Sequence, residues 1–196
     1  MHIKLLSILL LFQVFGIINK PLNSKETVIY IVRHAEKETA DPADNNPELN
    51  ETGKRRAKDL AAELKKETFA AVFSTNYKRT LQTAAPVAQR SGLPVLTYKP
   101  DDFKNLAELV KSEYHNKKIL IVGHSNTILE IAKAFGTDVE IEKLNDDDYD
   151  LLIKITINNN GVANLKFSRY GQKHHSTELP DEVKSFHKSS SKTKNL

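Results

Sequence analysis

Apolar and polar positions fall along this chain in blocks whose period changes. Residues 27–32 read Thr-Val-Ile-Tyr-Ile-Val, a continuous β-branched run of the kind covered on both faces of a sheet. A polar stretch with Pro42, Asn45, Asn46 and Pro47 follows and predicts a loop. Over residues 50–66 the period becomes helical. Ala57, Leu60, Ala61 and Leu64 fall at i, i+3, i+4 and i+7, and Asn50 is placed to cap the helix. Residues 70–74 predict a second strand. Residues 76–90 predict a helix with Tyr77, Leu81, Ala84 and Ala88 on one face, kinked or shortened by Pro86 and ended by Ser91-Gly92. A short strand over 94–98 follows, then a helix over 102–115 that buries Phe103, Leu106 and Val110. Residues 117–122 read as another apolar strand, and 125–135 as a helix stopped by Gly136.

Strands alternating with helices imply a parallel-rich sheet between helical layers. The last two β-rich runs, 149–157 and 162–170, instead flank Asn158-Asn159-Asn160-Gly161, and Asn-Gly between such runs signals a hairpin. The predicted fold class is therefore α/β: a three-layer α/β/α domain over residues 25–170, with a mostly parallel central sheet ending in an antiparallel hairpin. Residues 171–196 are polar, with few apolar anchors, and read as a disordered tail.

The amino terminus has a different pattern. Lys4 and the terminal amine precede an apolar run over residues 5–18, broken by Ser7, Gln13 and Gly16 and closed by Asn19, Lys20 and Pro21. This is the layout of a secretory signal, and the run is shorter than the about 20 apolar residues of a membrane span. Residues 1–24 are expected to be a signal peptide, or an N-terminal anchor if uncleaved, since no Ala-x-Ala is present; a buried helix is the alternative. The protein is then exported, periplasmic or secreted, and meets a membrane only through this segment.

Composition changes the picture in two ways. The net charge is +4, and basic residues alternate with acidic ones, so no basic stripe suits a nucleic-acid partner. The absence of cysteine removes disulfides, thiolate metal sites and a thiol nucleophile.

Two histidines occupy equivalent places, His34 after the strand ending at Val32 and His124 after the strand ending at Val122. Ligands of open α/β sheets bind outside the carboxyl ends of the strands, so both imidazoles belong at one edge. Arg33 adjoins His34, and Arg79 lies in the first turn of the helix after another strand. Two arginines and two histidines without evident carboxylate partners make a pocket for a dianion, because guanidinium forks match phosphate oxygens.

These residues sit in segments with a recognisable order. Arg33-His34-Ala35-Glu36-Lys37 resembles the Arg-His signature of the histidine phosphatase superfamily, the phosphoglycerate mutase-like proteins. The stretch Leu49-Asn50-Glu51-Thr52-Gly53, with Arg56-Ala57, resembles that family's leucine-x-x-x-glycine helix start. The stretch from Thr75 to Ala84 resembles its second-arginine motif, where Ser and Ala are commoner than Thr75 and Thr80. Gly123-His124-Ser125 resembles its second-histidine motif. The resemblance covers residues 27–170 and implies a phosphatase that needs no metal or cofactor. It makes His34 the nucleophile, with Arg33, Arg79 and His124 binding the phosphoryl group; Ser125 and Asn126 are further expected substrate contacts. The spacing between Arg79 and His124 leaves no room for a cap insertion, which places the chain with the small phosphatases rather than the mutases, whose phosphoenzyme must exclude water.

An alkoxide leaving group needs an acid. Glu36 is favoured for that role by its nearness to His34, with Asp101 and Asp102 as alternatives. Without an acid, phosphohistidine or anhydride substrates fit better. The expected partner is a phosphorylated small molecule or a phosphoprotein. A phosphate-binding domain without turnover and a phosphomutase remain alternatives. Gly123-His124-Ser125-Asn126-Thr127 lacks the closing glycine of a serine-hydrolase elbow, so Ser125 reads as a helix cap. A His34–His124 metal site is opposed by Arg33 and Arg79. Asp146-Asp147-Asp148 reads as a solvated turn and His174-His175 as a solvated pair.

Overall fold

A computed structural model describes residues 26–180. The elements run β1 (Thr27–Arg33), α1 (Glu51–Glu63), β2 (Ala71–Thr75), α2 (Lys78–Ser91), β3 (Val95–Tyr98), α3 (Phe103–Glu113), β4 (Lys118–Gly123), α4 (Ile128–Ala134), β5 (Leu151–Ile157) and β6 (Ala163–Arg169). One six-stranded sheet has the order β3-β2-β4-β1-β5-β6. The first four strands in that order are mutually parallel, while β1–β5 and β5–β6 pair antiparallel. The expected mixed sheet and closing hairpin are both present. The export segment expected over residues 1–24 lies outside the described residues, and among these no helix is long and apolar enough to cross a membrane.

The apolar strands divide their side chains by parity, as the two-residue period requires. Ile29 and Ile31 of β1, Ile119 and Ile121 of β4 and Phe73 of β2 pack with Leu106 and Val110 of α3 and Ile128 and Ile131 of α4. Val28, Tyr30, Val32, Leu120, Val122 and Val72 face the other way, onto Leu60 of α1 and Ala84 and Val87 of α2. The result is the three-layer arrangement. Asn50 caps α1 as expected, its side chain accepting from Gly53 N at 2.9 Å.

The helices depart from the pattern in three places. Helix α2 runs through Pro86 to Ser91 and ends at Gly92, whose φ of 65° favours glycine. Its buried face includes Thr80 and Thr83 rather than Tyr77 and Leu81, because both hydroxyls find partners. Helix α4 starts at Ile128, not at residue 125. A turn closes first: Thr127 Oγ1 accepts from His124 N at 3.0 Å, so Thr127, not Ser125, stands before the helix.

Asn145, Asp146 and Ser176 are exposed, as a solvated turn and tail would have it, but Asp148, His174 and His175 make specific contacts. Asp148 is fully buried and accepts from Asn145 N at 2.7 Å, from Thr177 N at 3.2 Å and from the Thr177 hydroxyl. His174 Nδ1 meets Glu36 at 2.7 Å, and His175 Nδ1 meets Asp150 at 2.6 Å. The chain after Gly171 thus returns to the sheet edge that carries the histidines, drawn by buried carboxylates.

Candidate active site

Strand β1 ends at Arg33 and β4 ends at Gly123, and these two residues are register partners. His34 N donates to Gly123 O at 2.9 Å. The next residue on each strand, His34 and His124, therefore emerges side by side, with ring centroids 5.5 Å apart. Strand β2 and the first turn of α2 bring Tyr77 and Arg79 to the same edge. Arg33, His34, Lys37, Tyr77, Arg79, His124, Ser125 and Asn126 are among the residues lining one cleft of about 340 Å³. The expected clamp residues are gathered there, and so are Ser125 and Asn126.

His34 is buried, and its Nδ1 lies 2.7 Å from the Ala35 carbonyl. A carbonyl only accepts, so Nδ1 carries the proton and Nε2 keeps a free lone pair. Burial lowers the His34 pKa to about 3, with the Arg33 and Arg79 charges adding to the effect. Burial and the same two guanidiniums lower His124 to about 4. Both rings are thus neutral across the physiological range. His124 Nε2 lies 2.9 Å from Thr75 Oγ1, in the wall behind the site.

Arg33 is held by a part of the chain that its motif does not include. Its Nη1 donates to the carbonyls of Asn145, Asp146 and Asp148 at 3.3, 2.9 and 3.4 Å, and its guanidinium lies 4.0 Å from the Tyr149 ring centroid. Arg79 lies 4.5 Å over Tyr77. The Nε–H groups of both arginines are buried without a hydrogen-bond partner among the described residues. Burial, together with the charge of Arg33, lowers the Arg79 pKa.

The expected acid is elsewhere. Glu36 is buried and does not line the cleft. Its carboxylate accepts from Arg56 Nε at 2.9 Å and from Arg56 Nη2 at 2.8 Å, and meets His174 Nδ1. Burial alone would raise its pKa, but the Arg56 and His174 hydrogen bonds hold it below the usual range. An ionised carboxylate has no proton to donate, so Glu36 is a structural anchor. Asp101 is exposed, Asp102 precedes α3 and accepts from Asn105, and neither lines the cleft. Among the described residues no carboxylate lines the cleft. Among the described residues no cluster of three His, Cys, Asp or Glu side chains could hold a metal ion.

Sequence reading missed Tyr149 and Tyr77 as ring walls, Thr75 as the partner of His124, and Lys37 as a lining residue. Lys37 and Thr75 lie within the quoted motifs. The tyrosines carried no chemical signal of their own.

Comparison with known proteins agrees with this geometry. Residues 29–100 match the model of the histidine phosphatase superfamily (branch 1). Phosphoserine phosphatase 1 of Hydrogenobacter thermophilus is 38% identical over 73 residues, which are 35% of this chain and 34% of that protein. The matched stretch therefore spans about a third of that relative. The protein histidine phosphatase SixA, solved with tungstate, superposes with a TM-score of 0.61 at 15% identity, over 73% of this chain and 96% of that one. A mycobacterial glucosyl-3-phosphoglycerate phosphatase gives 0.56 at 14% identity, over 74% and 98%. Likenesses at this identity speak for the fold.

Proposed function

We propose that this chain, whose residues 29–100 match the model of the histidine phosphatase superfamily (branch 1), is a metal-independent phosphatase working through a phosphohistidine on His34. The observation that carries this reading is the 2.7 Å contact from His34 Nδ1 to Ala35 O. It leaves Nε2 as a nucleophile in the cleft that Arg33 and Arg79 also line.

The phosphoryl dianion binds between Arg33 and Arg79. His34 Nε2 forms the new N–P bond while the P–O (or P–N) bond to the leaving group breaks. Phosphoryl transfer asks mainly for positioning and positive charge around the equatorial oxygens; Arg33 and Arg79 supply the charge, and neutral His124 shapes the wall beside His34. Water then attacks phosphorus, the N–P bond breaks, and phosphate departs. Among the described residues no lining carboxylic acid can protonate an alkoxide. Leaving groups that depart unaided are therefore favoured: aryl oxides, anhydride phosphates, or the imidazole of a phosphohistidine, on a small molecule or a phosphoprotein.

A phosphate-binding domain without turnover is the second reading, favoured by the same lack of an acid. A phosphomutase fits less well. Between Arg79 and His124 the chain holds only β3, α3 and β4 after α2, and nothing there covers the cleft against water. Export through residues 1–24 is a separate proposal, tested by the mass and location of the mature chain.

Trapping decides the main reading. Incubation with ³²P-labelled aryl phosphate, followed by quenching, should yield an acid-labile, base-stable adduct that is absent from His34→Ala. An acid-stable label, or one that persists in that variant, overturns the mechanism. Phosphate binding with no turnover on aryl phosphates or phosphohistidine leaves the binding-domain reading.

A further inference from the structure

The charge in the cleft exceeds what a phosphoryl group needs. Arg33, Arg79 and Lys37 line it, and among the described residues no carboxylate does. Both lining histidines are neutral. A phosphoryl dianion balances two of the three cations and leaves one.

Lys37 is the odd cation. It is half-buried. It forms no ion pair with any described carboxylate and has no side-chain hydrogen bond to a described residue. Its backbone, by contrast, is fixed on both sides. Lys37 bridges Leu49 in antiparallel fashion, its carbonyl accepts from Asn50 Nδ2 at 3.3 Å, and Glu38 N donates to Glu48 O at 2.8 Å. The flexible ammonium thus springs from a rigid root at the cleft wall. Lysine acts on anions as a mobile point charge rather than a fork, which suits a second anionic group of variable position.

We propose that Lys37 forms a second anion subsite, so that the preferred substrates carry a carboxylate, or another anionic group, on the part of the molecule beyond the phosphoryl group. The inference rests on the reading of Arg33 and Arg79 as the phosphoryl clamp, but it does not require turnover. A neutral or cationic leaving portion would leave the ammonium uncompensated in a partly desolvated wall. An anionic one would gain a charge-assisted hydrogen bond.

Benzylphosphonate and 4-carboxybenzylphosphonate share a phosphoryl-like dianion that cannot be hydrolysed, and differ in one carboxylate. Calorimetry at low ionic strength should show the carboxylated compound binding about tenfold tighter, the equivalent of one good charge-assisted contact. Lys37→Met should reduce the preference below about twofold, and Lys37→Arg should keep most of it. Equal binding by the wild type, or an undiminished preference in Lys37→Met, overturns the proposal. Failure of both phosphonates to bind overturns the clamp and the subsite together. If the preference depends on Lys37 but no phosphohistidine can be trapped, the subsite stands and only the enzymatic reading falls.

Discussion

Thr75 holds the second histidine in one tautomer. Thr80 Oγ1 lies 2.9 Å from the carbonyls of both Thr75 and Tyr77, so its single proton goes to the backbone. Its oxygen is then free to accept from the Thr75 hydroxyl at 2.9 Å. Thr75 Oγ1 in turn accepts from His124 Nε2–H at 2.9 Å. The proton of neutral His124 therefore sits on Nε2, and Nδ1 holds the lone pair. Thr75→Val should release this constraint. An unpaired buried ring N–H costs about 1–3 kcal/mol, so stability should fall by that order and kcat/KM by about tenfold or more. Thr75→Ser should restore both, and ring ¹⁵N shifts of His124 should show one tautomer in the wild type and a mixture in the valine variant.

Both histidines resist protonation, with a definite sign for stability against pH. In the unfolded chain each takes a proton near its ordinary value of 6.5, while the folded protein holds off to about 3 for His34 and about 4 for His124. The unfolded state thus binds more protons below pH 6.5, and stability falls as pH drops from there toward the folded values. Denaturant titrations from pH 7 to 4 should show this decline, and His34→Ala should flatten it. The acid limb of kcat/KM from these two groups should lie below about pH 5, well under the usual histidine range.

Glu36→Gln separates an acid from an anchor. Losing a general acid typically costs a factor of about 10²–10⁴. An anchor loses stability instead, because breaking a buried pair costs about 3–5 kcal/mol. The Arg56–Glu36 pair is buried on both sides. Thermal denaturation should fall sharply in Glu36→Gln, while the rate per folded molecule drops less than tenfold.

Gly53 is required by contact rather than by backbone conformation. A Cβ built there would stand 2.1 Å from Glu36 O and 2.9 Å from Glu36 N, both backbone atoms. Helix α1 touches the chain just after His34 at this point, where Asn50 N also donates to Glu36 O at 3.0 Å. Gly53→Ala should destabilise the protein by about 2 kcal/mol or more, read as a fall in Tm of roughly 4–8 °C for a domain of this size. A smaller change would show that α1 can shift without consequence.

The residues of β1, β4 and α1 were legible because their information is local. A β-branched run such as residues 28–32 can bury both faces only as an inner strand, and the carboxyl ends of such strands face one edge. His34 and His124 were placed together by that rule alone, and Asn50 was identified as a cap by its position before an apolar period. Helix faces were less legible. Thr80 and Thr83 are buried against the pattern, because hydroxyls that reach a partner tolerate burial, and a hydropathy period does not report partners.

Other features had no local signal. Glu36 lies two residues from His34 in sequence, yet its partners are Arg56 and His174, the latter 138 residues away. Asp148 and its neighbours read as a polar turn because a sequence shows charge but not the donors that will satisfy it. The sequence alone determined the sheet, its edge and the gathering of Arg33, His34, Arg79 and His124 at that edge, since these follow from period and strand order. Only the tertiary structure decided which ring nitrogen of His34 is free, that Glu36 is ion-paired with Arg56, that residues 145–148 hold Arg33, and that Lys37 has no side-chain partner among the described residues. Those depend on hydrogen-bond and charge partners drawn from distant parts of the chain.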